Sequence, residues 1–117
     1  MAYVDGFLLA VPKKNLTQYR KMAKLAGKVW REHGATGYVE CVADDVPMGK
    51  LTSFPRSVKQ KPSETVIFSW VTYKSRAERN RILKKVMADP RLQMDSKKMP
   101  FDGKRMIYGG FKVFVEA

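Results

Sequence analysis

The chain has 117 residues, 44% of them apolar and 29% charged, with a net charge of +12 at pH 7 and one cysteine. That length suits one domain able to bury a core. One cysteine rules out an intrachain disulfide, and no apolar run nears the ~20 residues that cross a bilayer.

Residues 3–11 (YVDGFLLAV) are apolar, aromatic and β-branched and stop at Pro12, which predicts a strand. Asp5 interrupts this run and no basic region precedes it, so no signal peptide is expected and the cytoplasm is the expected compartment. Asn15 with Gln18 forms a capping-box pattern. Leu16, Tyr19, Met22, Ala23, Ala26, Val29, Trp30 and His33 then recur at helical spacing until Gly34 supplies the stop. Residues 36–46 give a second strand, with Cys41 read as a buried small hydrophobe within it. A polar, proline-punctuated arm runs from Met48 to about Ser63, long enough to suggest a contact with a partner. Residues 65–73 (TVIFSWVTY) are the clearest strand. Ser75 and Glu78 open a second helix whose inward stripe is Arg79, Ile82, Leu83, Val86 and Met87, and Asp89-Pro90 closes it. The last strand is predicted from Arg105 to Val115.

The order β-α-β-β-α-β is that of ferredoxin-like α+β domains: a four-stranded antiparallel sheet with two helices on one face, over residues 1–117. Strand parity makes both sheet faces apolar. Ile67, Val71 and Tyr73 oppose Val66, Phe68 and Trp70, while Tyr3, Phe7 and Leu9 oppose Val4, Leu8 and Ala10. Two helices cover one face only. A second copy of the sheet, facing the first across a two-fold axis, is the simplest cover for the other, so a homodimer through sheet faces is expected.

Several tracts carry a resemblance over nearly the whole chain. They include Tyr3-Val-Asp-Gly-Phe7, Glu32-His-Gly-Ala35, Val39-Glu-Cys-Val42, Gly49-Lys-Leu-Thr-Ser-Phe54, Phe68-Ser-Trp70, Met87-Ala-Asp-Pro-Arg91 and the closing Met99-Pro-Phe-Asp-Gly-Lys-Arg-Met-Ile-Tyr-Gly-Gly-Phe111. The chain resembles a bacterial family of small proteins of unknown function in the dimeric α+β barrel superfamily. That resemblance implies the same paired-sheet arrangement, and kinship with cofactor-independent monooxygenases and small-ligand-binding barrels. Fold-level kinship does not carry an activity with it.

The ligand-binding candidates are Asp5, Glu40, Trp70 and Tyr108, expected to serve a small molecule in the barrel cavity. Asp5 and Glu40 are carboxylates within apolar strands, where burial would raise their pKa and suit them to proton transfer. The structural alternative for Asp5 is a salt bridge with Arg105. His33 is expected to sit at a helix end rather than bind a ligand. No metal or cofactor is expected, since one histidine and one cysteine make no metal cluster. Asp102-Gly103 reads as a turn presenting Lys104 and Arg105, and Gly109-Gly110 as a bulge or a place of close approach.

Phe68 and Trp70 share a face as the base-stacking aromatics of RNA recognition modules do, but Val66-Ile67 stands where that motif needs a basic residue and glycine. The alternative is nucleic-acid binding through the basic helix surfaces, which carry Arg20, Lys21, Lys24, Lys28, Arg76, Arg79, Arg81, Lys84 and Lys85. No membrane partner is expected.

Overall fold

Tyr3–Pro12 forms strand β1 and Glu64–Tyr73 forms β3, both built from the β-branched and aromatic tracts that favour a half-buried pleated surface. In the computed structural model, which describes residues 2–117, the other elements in chain order are α1 (Leu16–Glu32), β2 (Gly37–Val42), α2 (Phe54–Ser57), α3 (Arg76–Ala88) and β4 (Ile107–Lys112). The fold is α+β: the strands make one open sheet in the order β2-β3-β1-β4, and every neighbouring pair is antiparallel. No helix among the described residues is long and apolar enough to cross a membrane.

The pairing register sorts the side chains. Tyr3, Asp5, Phe7, Leu9 and Val11 share one face with Ile67, Ser69, Val71 and Tyr73. Both long helices lie on this face. Val29 of α1 and Ile82 and Val86 of α3 are buried with Tyr3, Val71 and Tyr73, while Tyr19 and Ala23 are buried with Leu9, Val11 and Ile67. Burial of each large aliphatic side chain contributes about 1.5–3 kcal/mol. The opposite face carries Val4, Gly6, Leu8, Ala10, Val66, Phe68, Trp70 and Thr72, continued by Gly37, Val39 and Cys41 on β2 and by Ile107, Gly109 and Phe111 on β4. Glu64, opposite Pro12 at the end of this face, is its one charged residue, and Arg105 pairs with it.

The local signals for helix termini hold unequally. Gly34 ends α1 at φ 118°, a backbone state that glycine adopts without strain. Ser75 caps α3, its hydroxyl accepting from the Glu78 amide at 3.1 Å. Asn15 does not cap α1. Its side chain donates instead to the Pro100 carbonyl at 2.9 Å, and Gln18 donates to the Lys98 carbonyl at 3.4 Å. A long-range tie to the segment before β4 has displaced the capping box. His33 sits at the C-terminal end of α1, where Nε2 lies 2.9 Å from Asp89 Oδ2 and joins the ends of the two long helices.

Other expectations need correction. β2 ends at Val42 rather than 46, because one more backbone bond, Ala43 N–H to the Val66 carbonyl, completes the ladder and the chain then turns away. β4 runs only from Ile107 to Lys112. Arg105 precedes it in a 3-10 turn, Gly103–Arg105, capped by Asp102. Cys41 is exposed rather than buried, since β2 is an edge strand and Cys41 points to the uncovered face.

The arm from Met48 to Ser63 folds back on its own protomer. Ser53 caps α2, Pro55 is buried, and Val58 is buried against Ala10 and Val66 on the face opposite the helices. Phe54 stacks on Phe68 with ring centroids 5.9 Å apart. Arg105 straps the arm down: its Nη1 donates to the Lys59 carbonyl at 2.9 Å, and its Nη2 donates to Glu64 Oε2 at 2.6 Å.

Candidate functional site

Two polar clusters lie beneath the helices, and each centres on a carboxylate of the sheet. In the first, Asp5 projects from β1 toward α3, where the repeating turn brings Arg79 above it. Arg79 Nη2 donates to Asp5 Oδ1 at 2.9 Å and Nε to Oδ2 at 3.0 Å. Tyr73 donates its hydroxyl to Oδ2 at 2.9 Å, and Trp30 Nε1 donates to that hydroxyl at 3.1 Å. The Asp5 hydrogen bonds hold the Arg79 guanidinium above its usual range. Burial, with Asp5 beside it, also pushes the Tyr73 phenol up.

The partner of Asp5 is therefore Arg79 and not Arg105. Arg105 is engaged by Glu64, whose carboxyl it holds below the usual carboxylate range. It also reaches Asp102 at 3.1 Å, so the turn at 102–105 does not offer an unpaired guanidinium to an anion. Gly109 and Gly110 sit in unbroken register opposite Gly6 and Asp5, so there is no bulge there. Close approach accounts for Gly110 but not for Gly109, where a Cβ would come no nearer than 3.7 Å to Phe111. A Cβ at Gly110 would lie 2.7 Å from Arg79 Nη2 and would also collide with the Tyr3 ring.

In the second cluster, Glu40 projects from β2 toward α1. Tyr19 donates to Oε1 at 2.8 Å from the helix, and Tyr38 donates to Oε2 at 2.6 Å from two positions back on the same strand face. Burial, reinforced by the neighbouring carboxylate, pushes both phenols well above the tyrosine range, so both stay protonated at neutral pH. Gly27 permits this arrangement. A Cβ there would meet the Tyr38 ring at 2.8 Å, so glycine lets the ring lie against α1 despite costing a helix interior about 1 kcal/mol.

The cluster lies in a groove of about 880 Å³ between α1 and β2. Its walls are apolar at Leu16, Ala23, Val42 and Ile67, and its rim carries Arg20, Lys24, Lys28 and Arg31. Arg20, Lys24 and Lys28 recur at successive helical turns, and no ion pair among the described residues engages them.

The four candidate residues thus fall in three places, with Trp70 and Tyr108 both lining one groove. Asp5 is tied to Arg79 and Tyr73, and Glu40 lies in the α1–β2 groove. Trp70 is on the opposite face, in a second groove of about 500 Å³ with Val4, Leu8, Phe54, Phe68 and Phe111. Tyr108 is 73% exposed on edge strand β4, its ring 6.3 Å from that of Phe7. Only Glu40 is held among polar partners within a groove on the helix side. Tyr19 shows in the sequence as part of the inward stripe of α1, with nothing to link it to Glu40. The alternation Tyr38-x-Glu40 on one strand face was the signal that joins Tyr38 to the carboxylate.

The whole-chain resemblance has a direct counterpart. Residues 2–103 match the model of the family described as "Protein of unknown function (DUF1428)". The chain belongs to this family. It is 48% identical over 116 residues to "Uncharacterized protein YbaA" of Escherichia coli strain K12, with 99% of both chains covered, and equally so to the Shigella flexneri protein of that name. Among solved structures, the de novo designed protein Foldit4 aligns over 98% of both chains at 8% identity and a TM-score of 0.44, a likeness too slight to bear on function.

Within this family member the α1–β2 groove can do two things chemically. The Glu40 carboxylate can accept a hydrogen bond or a proton from a bound molecule, and the rim can neutralise negative charge. Among the described residues no group of three His, Cys, Asp or Glu side chains is placed to hold a metal ion.

Proposed function

We propose that the protein binds, and through Glu40 can transform, a small molecule in the groove between α1 and β2. The observation that carries this reading is a carboxylate gripped by two protonated phenols, one buried and one half-buried, inside a large, mostly apolar groove. Such convergence of a few polar groups in an apolar concavity is the usual form of a ligand site. Differential scanning fluorimetry against a metabolite library tests it. A compound that raises the melting temperature of the wild type by clearly more than that of Glu40→Gln is expected. No such compound, or shifts of equal size in Glu40→Gln for every compound, would refute the reading.

The protomer in this reading is ferredoxin-like, and it closes its open sheet face against a second copy to form a dimeric α+β barrel. The support is a sheet face whose one charged residue, Glu64 at its end, is buried and paired with Arg105, in a protein that is 29% charged. On that face Phe68, Ile107 and Phe111 are 43%, 44% and 64% exposed. Four strands about 4.8 Å apart and six to ten residues long project an area on the order of 500 Å². The relief of the side chains and the arm add to it, toward the ~800 Å² per partner of a stable interface. Light scattering returning the 13.4 kDa protomer at high concentration would overturn the dimer.

One observation favours a second reading, nonspecific nucleic-acid binding: Arg20, Lys24 and Lys28 stand exposed and without acid partners along α1. Fluorescence polarisation with labelled oligonucleotides should then show binding that falls steeply with salt. Absence of binding at low ionic strength ends this reading.

A further inference from the structure

Resting on the α1–β2 groove as a ligand site, we infer that its ligand is bifunctional: an organic anion with an apolar body and a hydroxyl or amino group at its other end. The inference follows from which hydrogen-bonding roles remain free. Both phenol protons of Tyr19 and Tyr38 are donated to Glu40. What the cluster still offers is acceptor capacity alone, namely the remaining lone pairs of the carboxylate and of the two phenol oxygens. A carbonyl or a carboxylate gains nothing there and would meet the charge of Glu40. A hydroxyl or an amine finds a charged acceptor.

The rim has the opposite character. Arg20, Lys24 and Lys28 offer donors only, and the sole acid of α1, Glu32, is paired with Arg91 at 2.7 Å. Positions 20 to 28 span about 12 Å of helix, so an anion can be met anywhere along the groove's length. Between acceptor floor and cationic rim lie Leu16, Ala23, Val42 and Ile67, which favour an apolar body over a polyol. Floor and rim therefore select different ends of one molecule. A simple anion satisfies half of the groove, and a neutral alcohol the other half.

The test is a matched set of probes measured by isothermal titration calorimetry below their micellar range: ω-hydroxydecanoate, decanoate and decanediol. The hydroxy acid should bind about tenfold tighter than decanoate, the scale of one hydrogen bond to a charged acceptor, and tighter than the diol by a margin that shrinks with salt. Glu40→Gln should remove the preference for the hydroxy acid over decanoate. Arg20→Gln with Lys24→Gln and Lys28→Gln should remove its preference over the diol. Tyr38→Phe frees a carboxylate lone pair, so it should keep or raise the preference for the hydroxyl, an outcome that loss of structure would not produce. Equal binding of all three probes, still abolished by filling the groove with Val42→Trp at a wall position that is 55% exposed, would overturn the ligand class while the groove stands as a site. Library compounds that stabilise the protein through the groove without both an anion and a donor would overturn the class in the same way. No probe or library compound bound in the groove would overturn the site itself, and the class with it.

Discussion

Arg105 joins three separate pieces of the chain, and its removal gives the sharpest test of the packing described above. Its guanidinium meets Glu64 at 2.6 Å, Asp102 at 3.1 Å and the carbonyls of Val58 and Lys59 at 3.3 and 2.9 Å. Glu64 is 4% exposed, so Arg105→Met leaves a buried carboxylate with only the Lys61 amide, at 2.7 Å, as donor. Breaking a buried pair from one side costs about 3–5 kcal/mol, and the 16% exposure of the Arg105 side chain argues for the lower end. At about 4 °C per kcal/mol for a chain of this size, the melting temperature should fall by about 12 °C. The pH dependence separates this cause from simple loss of packing. Arg105 lowers the folded pKa of Glu64 from its ordinary 4.5, so the stabilisation is present above that value and lost as pH falls through the folded one. In Arg105→Met, protonating Glu64 relieves the buried charge. Urea denaturation should therefore show the gap between wild type and variant closing as pH drops from 7 through 4.5 and below. A gap that is constant across that range, or a melting shift under about 2 °C, would refute the argument.

Gly110→Ala should cost about 2 kcal/mol by driving Arg79 off Asp5, whereas Gly103→Ala, with nothing within 4 Å of its new methyl, should stay within about 0.5 kcal/mol in the same denaturation assay. Trp70→Lys places an unpaired charge in the apolar middle of that sheet face; analytical ultracentrifugation should return the protomer mass, with circular dichroism unchanged. Cys41 lies on that face, so its labelling by a thiol reagent should speed up on dilution of the wild type and be fast at all concentrations in Trp70→Lys. Lys59 holds φ 51°, and Lys59→Gly should raise stability by about 1 kcal/mol in thermal denaturation by relieving that left-handed strain.

What could be read from the sequence was local. Period-two alternation in Tyr3–Val11 and Thr65–Tyr73 assigned each side chain to its face, because parity survives any register. Gly34 and Ser75 announced helix ends through conformational freedom and a hydroxyl acceptor. Long-range pairing could not be read. Asp5 and Arg79 are 74 residues apart, and nothing local distinguishes Arg79 from Arg105 as the partner. Asn15 looked like a cap because Pro100, which receives its side chain instead, is 85 residues away. The arm looked like an extension because its buried anchors, Pro55 and Val58, are isolated apolar residues in a polar stretch. Candidate sites scattered for the same reason: parity names the face a residue takes, and the helix above it decides whether it is sealed, paired or left beside a groove.

The separation of lysine and arginine from the bare sheet surface has a consequence for assembly. In the proposed pairing of sheet faces each copy brings +12, so two copies would repel one another as they approach, even though the faces that would meet are mostly uncharged. Added electrolyte screens that repulsion and at the same time strengthens contact between greasy surfaces. Self-association should tighten with ionic strength, opposite in sign to any attraction of the same molecule for a polyanion.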